Sequence, residues 1–148
     1  MRILALDPAE STGYALVDLI DGHADIYEYG FIEVDKSSGY QGDHCIDLMK
    51  QISDIIKTAD VEYVCIEDYF FSQKFANGCN ANASYRTALH ILCRQLKLPY
   101  EILNISLWKK YVAGRSTPIP SPRISHALSE PLACRVFRST RTAADLFG

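Results

Sequence analysis

Arg2-Ile3-Leu4-Ala5-Leu6-Asp7-Pro8-Ala9-Glu10-Ser11-Thr12-Gly13-Tyr14 opens the chain with an apolar run that stops at a carboxylate. A short, continuous apolar run bounded by turn residues reads as a strand buried on both faces. Pro8 to Gly13 is rich in breakers and reads as the turn that follows. The same grammar recurs in Val61-Glu62-Tyr63-Val64-Cys65-Ile66-Glu67. A strand that ends in a carboxylate sets that charge at the rim of a sheet, beside the crevice where open α/β folds bind ligands. If the two strands are parallel neighbours, Asp7 and Glu67 aim at one point. Clustered carboxylate oxygens of this kind suit Mg²⁺, and such a site suggests phosphoryl transfer. Asp145, in Thr142-Ala143-Ala144-Asp145, is a third candidate. Asp68 falls on the opposite face if the strand continues, so it ranks as a substitute. Blander readings stand beside these: Asp7 as an Asp-Pro turn opener, and Asp145 as a carboxylate favoured at a helix start.

The order of elements supports a sheet of mixed direction. Residues 2–6, 14–19 and 25–34 read as three strands joined by short turns, the second turn at Asp21-Gly22, which makes an antiparallel meander. Residues 42–57 carry Cys45, Ile46, Leu48, Met49, Ile52, Ile55 and Ile56 at helical spacing, with Asp43 as a cap. Strand 61–66 follows. Residues 68–82 read as a loop with Tyr69, Phe70 and Phe71 in it. A second amphipathic helix is expected over 83–96, a fifth strand over 99–105, and short helices over 107–112, 123–129 and from 141. Short turns first and helical crossovers later predict an α/β fold: a five-stranded mixed sheet with helices on its faces.

The chain has 148 residues, 48% of them hydrophobic and 22% charged. That suits a single globular domain with a real core and is too short for two lobes. No run approaches the ~20 apolar residues of a membrane span. Met1 leads straight into a strand, without the apolar segment and cleavage site of a signal peptide. Cys45, Cys65, Cys79, Cys93 and Cys134 are odd in number and include no C-x-x-C pair, which argues against a disulfide framework or a zinc site. Cys65 and Cys93 read as small core residues, and the compartment as reducing cytoplasm. The net charge of −3 hides a split. Residues 86–148 hold ten Lys/Arg and three acids, a surplus of +7; the remainder stands at −10. Such asymmetry predicts one basic face for a polyanion, against the alternative of a merely solvated second half.

The opening Ile3-Leu4-Ala5-Leu6-Asp7-Pro8, followed by Ser11-Thr12-Gly13-Tyr14, resembles the first motif of RuvC-type Holliday junction resolvases. Ile66-Glu67 is similar to their second motif, and Ala143-Ala144-Asp145 to the end of their third. The resemblance covers nearly the whole chain. It implies an RNase H-like fold with helices on both faces of the sheet, and two-metal hydrolysis with Mg²⁺, for which Mn²⁺ substitutes. It also implies a homodimer, and branched DNA, a four-way junction, as substrate. Asp7, Glu67 and Asp145 correspond to three of the family's four acids. The fourth, three residues before Asp145 on the same helix face, is Thr142 here, a poorer Mg²⁺ ligand. The family's last helix runs well past this motif, whereas only Leu146-Phe147-Gly148 follow Asp145. Phe70 corresponds to an aromatic associated with stacking at the junction centre. Lys74 and Arg86 lie in or beside the segment expected to edge the DNA groove. Lys109, Lys110 and Arg115 surround the expected approach to the metals and would contact phosphates. Trp108 reads as a core anchor; the histidines are scattered, and His126, in the basic half, is the only one to be considered near the site, with a role elsewhere the better reading.

Other readings remain at this stage. Thr142 and the short C-terminus favour a non-catalytic junction-binding protein on the same fold. A YqgF-type RNase H-like nuclease acting on RNA shares the motifs. The Asp7 to Gly13 element also resembles the phosphate loop of sugar kinases and actin, but those enclose a nucleotide between two such domains. A phage-encoded enzyme acting in the bacterial cytoplasm fits the small size.

Overall fold

The computed structural model describes residues 1–21, 23–68 and 76–104, and for 76–79 the backbone alone. Five strands form one sheet: β1 (Arg2–Asp7), β2 (Ser11–Ile20), β3 (His23–Glu33), β4 (Tyr63–Glu67) and β5 (Tyr100–Leu103). Among the described residues two helices join them, α1 (Gln41–Thr58) and α2 (Ala76–Leu96). The spatial order is β3-β2-β1-β4-β5. β1–β2 and β2–β3 are antiparallel, and β1–β4 and β4–β5 parallel. This is the meander-then-crossover sheet of an RNase H-like fold. The short helices expected beyond residue 105 lie outside the described residues.

β1 and β4 are central because their side chains are apolar on both faces. On one face Leu4, Leu6, Leu16, Ile32, Val64 and Ile66 join the buried stripes of both helices. Those stripes are Leu48, Ile52 and Ile56 from α1, and Tyr85, Leu89, Leu92 and Cys93 from α2. On the other face Ile3, Ala5, Ala15, Val17, Cys65 and Leu103 form a second cluster built from strands. Cys65 and Cys93 are buried, as their setting in apolar runs predicts. Burial pushes the Cys93 thiol up to about 11, so it is a packing residue and not a reactive thiolate.

Three expectations need correction. The segment 76–82 is helix, not loop: α2 begins seven residues before the expected start. Asn and Gly weaken helix propensity there, but tertiary packing and the continuing backbone ladder override a weak local preference. Asp43 does not cap α1. The N-cap is Tyr40, in extended conformation and without a side-chain cap bond, and Asp43 sits in the first turn where its charge suits the helix dipole. β2 is longer than residues 14–19, because the turn after Asp7 tightens enough for Ser11, Thr12 and Gly13 to pair with β3.

Both helices end without glycine. Asp60 (φ +51°) and Lys97 (φ +55°) take the left-handed conformation. The following residues fold back, with Val61 N donating to Ile56 O at 3.1 Å and Leu98 N to Cys93 O at 3.0 Å. This is the Schellman closure, normally served by glycine. The left-handed state costs a β-carbon-bearing residue roughly 1–2 kcal/mol, and glycine's larger unfolded-state entropy offsets part of any relief. Lys97→Gly is therefore expected to stabilise the fold by about 0.5–1 kcal/mol, read as a higher urea midpoint at unchanged slope. A lowered midpoint would show that the lysine contributes more than its backbone strain.

Candidate active site

The register of the sheet places the two strand-end carboxylates together. Leu6 pairs with Ile66 across the parallel β1–β4 ladder, so Asp7 and Glu67 are the next residues on neighbouring strands. Adjacent strands lie roughly 5 Å apart. Alternation decides the face: Leu6 and Ile66 pack toward the helices, so Asp7 and Glu67 share the face of Ala5 and Cys65. Asp7 is exposed and Glu67 half-buried. One row thus crosses the whole sheet: Phe31, Gly13, Asp7, Glu67, Leu103.

The loop after Asp7 is fixed from within. Thr12 is fully buried. Its Oγ1 donates to the Ala9 carbonyl at 2.7 Å and accepts from the Ala9 amide at 3.3 Å. The hydroxyl therefore closes the turn that returns the chain from Asp7 into β2. Glu10 and Lys36 form an exposed ion pair across the same loop. The ammonium holds the Glu10 carboxyl below its usual range.

Asp68 points the other way. Its amide donates to the Leu103 carbonyl at 2.8 Å, and its carboxylate accepts from Arg86 Nη1 at 2.8 Å. Arg86 belongs to α2, on the helix-covered face, so this ion pair ties the end of β4 to α2 on the side away from Asp7 and Glu67. Arg86, expected to contact DNA, is engaged in that pair here. Phe70, Lys74, Trp108, Lys109, Lys110, Arg115, His126, Thr142 and Asp145 lie outside the described residues. Among the described residues no group of three or more His, Cys, Asp or Glu forms a cluster suited to a metal. The two adjacent carboxylates are nonetheless hard oxygen donors of the kind that Mg²⁺ selects.

No family model matches the sequence, and no curated protein matches it significantly. Solved structures do. A Thermus thermophilus RuvC in complex with a Holliday junction substrate superposes with a TM-score of 0.66 at 13% identity, covering 99% of this chain and 96% of that one. A second T. thermophilus RuvC structure gives 0.65 at 14% identity, covering 99% and 97%. The yeast mitochondrial Holliday junction resolvase Ydc2 gives 0.55 at 15% identity, covering 76% and 57%. The chain therefore has the RuvC-like variant of the RNase H-like fold. No described helix is long and apolar enough to cross a membrane.

Two residues on the carboxylate face carry no sequence signal of their own. Phe31 reaches the row only through the pairing of β3. Glu101 pairs with Cys65, one step down the same face from Glu67. Its burial lifts the carboxyl above its ordinary value of 4.5. The folded state then holds the proton more tightly than the unfolded chain. The stability from this group is full below the ordinary value and is lost as pH rises through the lifted one. Glu101→Gln is expected to flatten that loss and to raise stability near neutrality. Urea unfolding of both proteins at pH 4 to 8 checks this; parallel pH profiles would show that Glu101 titrates as it does unfolded.

Proposed function

We propose that this chain is a Mg²⁺-dependent, structure-selective endonuclease that resolves four-way DNA junctions and acts as a homodimer. The observation that carries the reading is the row in which Asp7 and Glu67 meet on a sheet of RuvC-like topology. The T. thermophilus RuvC of the same fold is seen bound to a Holliday junction substrate, and the basic second half of this chain suits a polyanion.

Asp7 and Glu67 would hold the cation, with Asp145 completing the donor set and Thr142 standing where a further acid is expected. When bound, Mg²⁺ supplies stabilisation of charge on the phosphate oxygens and makes water a better nucleophile at neutral pH. The chain's own residues present the carboxylates as acceptors at a fixed rim. The Thr12–Ala9 clamp fixes where the Asp7 backbone turns. The Asp68–Arg86 pair fixes where β4 ends and so where Glu67 stands. Lys74, Lys109, Lys110 and Arg115 are assigned to phosphate contacts and Phe70 to stacking at the junction centre. Asp7 lies at an exposed strand end, so an amide there changes charge and leaves the core intact.

The expected outcome is metal-dependent nicking of a synthetic four-way junction in Mg²⁺ or Mn²⁺. Asp7→Asn abolishes cutting and spares binding in a gel-shift assay. Thr142 favours a second reading, a junction-binding protein without catalysis, and the same assay separates the two. Binding without cleavage at any Mg²⁺ or Mn²⁺ concentration would sink the nuclease. Cutting retained by Asp7→Asn would move the site elsewhere. RNA and plain duplex controls test the RNA-directed alternative.

A further inference from the structure

Phe31 is the most exposed of the large hydrophobic side chains described, at 77%. It stands in the carboxylate row, on the edge strand β3, one strand beyond Gly13 and two beyond Asp7. Isolated exposed apolar residues are ordinary and ask for no explanation. Position sets Phe31 apart. Tyr27, also exposed, lies beneath the Arg2 guanidinium at 4.3 Å on the helix-covered side. Tyr40 and Ile46 flank or lie on α1, away from the row. Phe31 belongs to neither apolar cluster. Gly13 leaves the space between ring and carboxylate clear. A β-carbon at Gly13 would stand 3.8 Å from Asp7 Cβ and 3.8 Å from Phe31 Cε1, so the ring and the root of the carboxylate lie within two van der Waals contacts of each other. Tyr29, half-exposed at 53%, continues the aromatic strip one step down the same face.

A phosphodiester held at Asp7 and Glu67 carries a nucleoside on each side. A flat apolar ring beside the carboxylates offers one of those bases a stacking surface with no hydrogen-bond readout. We infer that Phe31 is a substrate-positioning residue that stacks on the nucleobase flanking the scissile phosphate, with Tyr29 extending the platform. This rests on the nuclease reading above. It assigns β3 to the substrate groove, a strand to which neither the motifs nor the basic residues point.

The test uses a four-way junction carrying 2-aminopurine at each nucleotide flanking the cleavage site, with the wild-type chain, Phe31→Ala and Phe31→Trp. Wild type is expected to alter the emission of one flanking position on binding. Phe31→Ala should abolish that change and slow single-turnover cleavage by about tenfold, with Phe31→Trp restoring both. Because Phe31 is exposed, melting temperatures should coincide. Cleavage and emission unchanged in Phe31→Ala, with wild type active, would overturn this inference alone. An altered oligomeric state with the emission signal intact would assign Phe31 to a subunit contact and overturn it too. A wild type that neither binds nor cuts the junction would remove the nuclease reading and this inference with it.

Discussion

The in-register parallel pairing of β1 with β4 is the constraint on which the rest depends. Ile3 to Leu6 and Val64 to Ile66 are at most 3% exposed, so neither strand has a polar face to turn outward. Their backbone groups must be paired along the whole buried length, because unsatisfied buried amides are costly. A charge is tolerable only where the sheet reaches solvent, at the strand ends. Apolar burial therefore drives both carboxylates to the same rim, and the Leu6–Ile66 register makes them neighbours. A slip of one residue would throw one carboxylate to the opposite face, into the helices.

The two faces of that rim divide the labour. On the helix-covered side, Asp68 and Arg86 anchor α2 through an ion pair with both side chains about a third exposed or less. On the other side, Asp7 and Glu67 stand side by side at the strand ends, the first exposed and the second half-buried. Neighbouring residues in sequence, Glu67 and Asp68, thus serve opposite faces: one sets its charge beside Asp7 and the other neutralises a guanidinium. The strand's period of two separates them, which is why a carboxylate pair in sequence is not a carboxylate pair in space.

Much of this was legible in the sequence, for physical reasons that also mark where legibility ends. Continuous apolar runs announced β1 and β4, and helical periodicity announced α1. Strand termini made Asp7 and Glu67 visible as a pair. The first turns of α2 were hidden because Asn77, Gly78, Asn80 and Asn82 depress local propensity that tertiary context then overrides. Thr12 was visible within a motif but not as a clamp, since its partner is a backbone group. Phe31 was hidden more deeply. Its place in the carboxylate row is set by pairing with Gly13 on the neighbouring strand, which alternation counted along one strand does not reveal. Arg86 and Asp68 are eighteen residues apart in the chain, beyond the reach of any helix or strand period.

The charge distribution completes the physical picture. The carboxylate rim belongs to the acidic part of the chain, at −10, and most of the basic residues fall after residue 86. Taken alone, Asp7 and Glu67 repel a phosphodiester, and bulk water weakens that repulsion without removing it. A polyanion can approach such a rim only if a divalent cation reverses its sign locally, or if basic side chains hold the flanking phosphates. An uncharged aromatic contact at the rim adds attraction that neither metal nor salt concentration controls. On the proposed reading, Phe31 supplies that component. It lets the substrate register beside the carboxylates while the longer-range electrostatics are left to the cation and the basic second half of the chain.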